Sequence, residues 1–184
     1  MALQDAILAA LTTGEYSGYD LAKSFDVTVA NFWTATPQQL YRELDKMQEA
    51  GLIVARTIEQ EKRPNKRMYT LTEAGRTALR DFASRSPKPT AIRDELLVQV
   101  EAMDTETAPA VRANVQRMLE ASEAKLERYE KRREYLLAGR TENAFLADGV
   151  SIGSYLTLTR GIAFEAENVR WCEFVLAAVP ECPG

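Results

Sequence analysis

The sequence predicts a mainly α fold with a small β-hairpin, in which an N-terminal winged helix-turn-helix precedes an all-helical C-terminal domain. Three observations carry this reading. Residues 36–75 pass through a capped amphipathic helix, two β-rich stretches flanking a basic turn, and a second capped helix. The two-proline loop Ser84-Arg-Ser-Pro-Lys-Pro-Thr90 is the clearest boundary in the chain. Beyond it, every long segment has helical periodicity. The expected organisation is a winged helix-turn-helix at 1–83, a linker at 84–90 and a second, helical domain at 91–184.

Residues Met1 to Thr13 place Leu3, Ile7, Leu8 and Leu11 on one helical face, and Gly14 closes the run. Ser17 is positioned to cap a second helix with Asp20 in its first turn, expected over about 17–31, with Tyr19, Leu21, Ala22 and Phe25 apolar. The stretch Val27 to Ala35, with Phe32 and Trp33, is read as its end and the turn into the next helix.

The third helix, about 36–50, has the strongest start signal: Thr36 caps, Pro37 suits the first position, and Gln39 completes a capping box. Leu40, Leu44 and Met47 share a face, and Gly51 can take the left-handed conformation after it. Leu52 to Ile58 and Lys66 to Leu71 then form the hairpin around a polar turn, Glu59 to Asn65. Thr72 caps a helix running to about Ala83.

After the loop, Ile92, Leu96, Leu97 and Val100 mark a helix at about 91–102. A long helix follows from Ala108 to Ala138, with Val111, Val115, Met118, Ser122, Leu126, Tyr129 and Leu136 in a stripe. That stripe needs a partner, either a neighbouring helix or a second subunit. The last helix, Ser151 to Val179, is apolar on more than one face and so is expected to be buried on more than one side. Tyr155, Leu156, Ile162, Phe164, Val169, Trp171, Phe174 and Val175 are the candidates for a homodimer seam.

Composition narrows the function classes. Hydrophobic residues at 46% and charged residues at 27% fit a globular chain, and a net charge of −4 argues against non-specific polyanion binding. Residues 1–83 hold ten Lys/Arg and eleven Asp/Glu, yet Lys62, Arg63, Lys66 and Arg67 cluster at one tip. The chain has no histidine, the commonest general base and metal ligand, and no Walker-type glycine loop or metal-ligand cluster. No enzyme, cofactor or metal site is therefore expected. Cys172 and Cys182 lack CxxC spacing and follow no signal-peptide pattern, which predicts a reduced, cytoplasmic protein. No apolar run approaches the roughly 18 residues of a membrane span.

Helix, strand, basic turn, strand, helix is the order of a DNA-reading module. Thr36, Gln38, Gln39, Tyr41 and Arg42, at the start and exposed face of the third helix, are its candidate reading residues. Glutamine pairs bidentately with adenine and arginine with guanine. Tyr41 is also suited to local packing, and Gln39 to the capping box. Lys62, Arg63, Lys66 and Arg67 would meet phosphate or the minor groove. Two such modules on a twofold axis would read palindromic double-stranded DNA.

Residues 3–83 resemble the N-terminal domain of PadR-like transcriptional regulators. The resemblance rests on Gly14-x-x-x-Gly18-Tyr19-Asp20-Leu21, Leu40-Tyr41-Arg42-x-Leu44, Glu49-x-Gly51-Leu52-Ile53 and Arg67-x-Tyr69-x-Leu71-Thr72-x-x-Gly75, in order. The helical extension is similar to that of the longer PadR subfamily, whose C-terminal helices form the dimer interface. The turn Glu61-Lys-Arg-Pro-Asn65 departs from the glycine often found in the family's wing. The resemblance implies a dimeric repressor released by a small-molecule effector, a phenolic acid or a drug-like compound in some relatives, with residues 91–184 as the dimerisation and effector domain. Trp33, Tyr155, Trp171 and Phe164 are candidate pocket aromatics, with core or interface packing as the other reading. A winged helix used only for protein interaction, and a MarR-type regulator, are the alternatives.

Overall fold

A computed structural model of the chain describes residues 2–24, 35–59, 65–87, 89, 93–149 and 152–179. It divides into two compact units, Met1–Pro87 and Lys88–Gly184.

The first unit contains α1 (Ala2–Ala10), β1 (Tyr16–Ser17), α2 (Gly18–Ser24), α3 (Pro37–Glu49), β2 (Ile53–Ile58), β3 (Lys66–Leu71) and α4 (Glu73–Ala83). A 3₁₀ turn, Leu11–Thr13, continues α1, and Gly14 turns the chain at φ 152°. The expected hairpin is part of a larger sheet: three antiparallel strands in the order β1-β3-β2. Tyr16 pairs with Tyr69 and Ser17 with Met68, while Ile53 faces Leu71 and Ile58 faces Lys66. The added strand has two residues, too few for any alternation to mark it.

Side-chain caps set the helix starts. Ser17 Oγ accepts from the Asp20 amide at 3.0 Å and donates to Asp20 Oδ2 at 2.8 Å. Thr36 Oγ1 accepts from the Gln39 amide at 3.2 Å, and the Thr36 amide donates to Gln39 Oε1 at 2.9 Å, the expected reciprocal box. Gly51, at φ 69°, lets the chain leave α3 for β2. Of the expected second helix, 25–31 lie outside the described residues, as does most of the turn into α3.

One core unites these elements. Ile7, Leu8, Leu11, Leu21, Leu40, Leu44, Met47, Ile53, Tyr69 and Leu71 form a single buried cluster. Burying an aliphatic side chain of this size contributes about 1.5–3 kcal/mol. The buried face of α3 therefore anchors it, and its opposite face turns outward.

The second unit contains α5 (Glu95–Glu101), α6 (Ala108–Leu137), α7 (Glu142–Ala147) and α8 (Ile152–Ala178). Among the described residues α5 starts later than expected, because Asp94 Oδ1 accepts from the Leu96 amide at 2.9 Å and caps the helix there. The short helix α7, capped by Thr141, is an addition to the expected fold. The α6 stripe finds its partner within the chain: Val111 and Val115 pack against Cys172 and Val175 of α8. Further along α6 the core turns polar. Glu165 is 3% exposed and accepts from Lys125 Nζ at 3.3 Å and Asn168 Nδ2 at 3.1 Å. Phe145 of α7 then packs on Tyr155 with ring centroids 4.9 Å apart.

Candidate nucleic-acid interface

The exposed face of α3 is defined by what its buried face excludes. Leu40, Leu44 and Met47 point into the core, leaving Gln38, Gln39, Tyr41 and Arg42 on the outside. Thr36 and Gln39 each accept from the other's backbone amide, so they fix where α3 begins, and the Gln39 amide nitrogen stays available as a donor. Gln38 and Arg42 stand one helical turn apart on one side. Among the described residues neither side chain makes a hydrogen bond or ion pair. Both are free to address a ligand, Arg42 with a guanidinium fork and Gln38 with an amide.

Tyr41 is 44% exposed, and its ring lies directly over Gly18: a Cβ built there would stand 2.3 Å from Tyr41 Cε1. It borders a surface recess of about 410 Å³ that Tyr19, Lys23 and Pro37 also line. Tyr19 is 69% exposed. Tyr19 and Lys23 were not among the sequence candidates: Tyr19 is expected on the apolar side of the second helix, and the structure instead leaves it exposed one helical turn from Lys23.

The two described cations of the wing are turned inward. Lys66 Nζ sits 3.0 Å from Asp20 Oδ2, and this ammonium, with the Ser17 hydroxyl, holds the Asp20 carboxyl below its ordinary value. Arg67 donates to Asp45 Oδ1 at 3.2 Å and Gln48 Oε1 at 2.7 Å, both on α3, while its guanidinium covers Tyr69 at 5.4 Å. Arg67 thus braces β3 against the second half of α3. Lys66 and Arg67, expected to meet phosphate or the minor groove, are thus both paired within the protomer. Surface pairs of this kind are worth about 0–1 kcal/mol, so phosphate can compete for them. Lys62 and Arg63 lie outside the described residues.

The second unit sorts the seam candidates. Leu156, Phe164 and Phe174 are exposed at 54%, 49% and 68%, and Ile162, Val169 and Trp171 are half-buried. Tyr155 and Val175 need a correction, because both are occupied inside the protomer. Tyr155 is fully buried and accepts from Arg133 Nε at 3.3 Å, and Val175 belongs to the core with Val115 and Cys172. Burial also takes Tyr155 away from the wall of an open effector pocket, and Trp171 packs against that same Val115 and Cys172 core. Trp33 lies outside the described residues. Burial pushes the Cys172 thiol up. Among the described residues no group of three or more His, Cys, Asp or Glu is placed to hold a metal ion, and no helix is long and apolar enough to cross a membrane.

Comparison with known proteins matches each unit to a family. A model described as "Transcriptional regulator PadR-like family" covers residues 7–81, and one described as "Virulence activator alpha C-term" covers residues 92–179. The negative transcriptional regulator PadR of Bacillus subtilis is 33% identical over 178 residues, 96% of this chain and 97% of that protein. The crystal structure of B. subtilis PadR in complex with operator DNA is similar at a TM-score of 0.78 and 32% identity, covering 97% of this chain and 98% of that one. The B. subtilis PadR complex with p-coumaric acid is similar at a TM-score of 0.68 and 31% identity, covering 98% and 100%.

Proposed function

The chain belongs to the PadR-like family of transcriptional regulators, and on that premise we propose that it is a dimeric repressor of palindromic operator DNA, released by a small-molecule effector. The observation that carries the DNA reading is the outer face of α3. A reciprocally capped, core-anchored helix presents Gln38 and Arg42 with no described partner. Those two side chains match the edges of adenine and guanine in a major groove. Lys66 and Arg67 exchange their internal partners for phosphate as β3 approaches the backbone, joined by Lys62 and Arg63 at the wing tip. Thr36 and Gln39 hold the N-terminus of α3 in register.

The dimer covers the α8 surface that the protomer leaves bare. Leu156, Phe164 and Phe174 lie at its centre, flanked by Ile162, Val169 and Trp171. Two winged helices then address half-sites about one helical turn, roughly 34 Å, apart. An effector bound to the helical domain, near Trp171, shifts that spacing by favouring one of two dimer arrangements. Such coupling typically changes DNA affinity by about 5–150-fold. The B. subtilis relative binds p-coumaric acid, so a small aromatic carboxylic acid is the first effector class to test. A regulator of this kind works in the cytoplasm and performs no catalysis.

The test is a titration of the chain against the duplex upstream of its own gene, at two salt concentrations, with and without p-coumaric acid. Two protomers per duplex, a strong salt dependence and loss of affinity with the acid support the whole reading. Binding indifferent to salt would favour protein interaction over DNA, and binding indifferent to the acid would remove p-coumaric acid as effector.

A further inference from the structure

Gly18 opens α2 at the point where Tyr41 of α3 crosses it. The Tyr41 ring lies so close that a Cβ on Gly18 would meet Cε1 at 2.3 Å, the ζ carbon at 3.1 Å and Cδ1 at 3.2 Å. Only a residue without a side chain permits that seating. The backbone of Gly18 is outside the left-handed region, so its dihedrals do not demand glycine. The clash is instead with the end of a side chain that is 44% exposed and can swing into solvent. Glycine at this site therefore serves the placement of Tyr41 rather than the backbone.

Tyr41 in that seat shares a recess with Tyr19 and Lys23. Tyr19 and Lys23 are one turn apart on α2, and both are exposed. Two phenols and an ammonium at one face offer hydrogen-bond donors and one positive charge, the chemistry of phosphodiester contact. In a helix-turn-helix the helix before the reading helix crosses the DNA backbone, which is where α2 lies in chain order. We infer that Tyr19, Lys23 and Tyr41 form a phosphate-contact patch beside the base-reading face of α3, and that Gly18 is the positioning residue that seats Tyr41 in it. This rests on the DNA reading above.

The probe is a fluorescent duplex enriched from a randomised pool by the wild-type chain, together with a scrambled duplex of the same composition. Tyr41→Phe keeps the ring and removes the hydroxyl, so affinity should fall about fivefold on both duplexes, the worth of one lost hydrogen bond. Gly18→Ala should weaken binding by a similar factor while leaving the thermal midpoint and far-UV circular dichroism unchanged. In a Tyr41→Ala background the same glycine substitution should cost nothing more, because its only target is gone. Lys23→Ala should lower the salt slope by about one.

Gly18→Ala binding as tightly as wild type, or an equal loss with Tyr41 already removed, would overturn the seating role. Tyr41→Phe and Lys23→Ala both without effect would overturn the patch. Failure of the wild-type chain to enrich any duplex would remove the DNA reading and this inference together, an outcome distinct from either.

Discussion

Gly75→Ala should loosen the winged-helix unit, and the size of the effect can be worked from the contacts. Gly75 lies in the first turn of α4, and a Cβ there would stand 2.1 Å from the Leu52 carbonyl oxygen and 3.1 Å from its carbon. Unlike the Tyr41 ring, this neighbour is backbone and is held in place. Leu52 O accepts from the Thr72 amide at 3.1 Å and from Thr72 Oγ1 at 3.0 Å, and Thr72 Oγ1 accepts in turn from the Gly75 amide at 3.0 Å. Relieving the clash moves α4 away from the start of β2 and breaks part of this network. Overpacking costs about 1–3 kcal/mol and each net hydrogen bond about 0.5–1.5 kcal/mol. Alanine returns up to about 1 kcal/mol in helix propensity. With one hydrogen bond lost, the net expectation is a loss of about 0.5–4.5 kcal/mol. Hydrogen exchange by mass spectrometry on the full chain separates the units: peptides from α4 and β2 should exchange faster, with peptides from α6 as control. A change below about 0.5 kcal/mol in the first unit would refute the claim that α4 is pinned to the Leu52 carbonyl.

Three further outcomes are expected. Lys66→Ala combined with Arg67→Ala should weaken DNA binding across sequences and lower the salt slope by about 1–2, and an unchanged slope would take β3 out of the interface. The Asp20 carboxyl, held down by Lys66 and Ser17, should titrate below 3.8 in a carbon-13 NMR experiment. Its folded value is depressed, so its contribution to stability is full above the unfolded value and is lost as pH falls through the folded one. A midpoint at or above 3.8 would mean that the Lys66 pair does not form in solution. Glu165→Leu should leave the helical unit as stable or raise its melting temperature, because a buried carboxylate is replaced by an apolar side chain while Lys125, 45% exposed, reaches water. A large drop in the calorimetric midpoint would show that Glu165 anchors more than Lys125 and Asn168.

Legibility in the sequence differs from residue to residue, for physical reasons. The start of α3 was readable because a capping box is a local code: Thr36 and Gln39 find each other within one turn whatever the rest of the chain does. The apolar spacing of Leu40, Leu44 and Met47 likewise marked the buried face and, by elimination, the outward position of Gln38 and Arg42. Contacts distant in sequence were not readable. Nothing local links Arg67 to Asp45 and Gln48, or Lys66 to Asp20, so these pairings could not be read from spacing. The same limit explains α8. Its many apolar positions could not be divided by periodicity into those taken by α6 and α7, such as Tyr155 and Val175, and those left bare, such as Phe174. Strand β1, two residues long, exists only because β3 offers it an edge.

Base reading by the outer face of α3 is assigned to Gln38 and Arg42. Its most direct test compares affinities for the enriched and scrambled duplexes, in the wild type and in Gln38→Ala/Arg42→Ala, at one fixed salt concentration. Each bidentate base contact is worth about 1–3 kcal/mol of discrimination. The double substitution should collapse the selectivity ratio by at least about tenfold while affinity for the scrambled duplex changes little. A ratio that survives the substitution would contradict that assignment, and would place sequence recognition elsewhere in the chain.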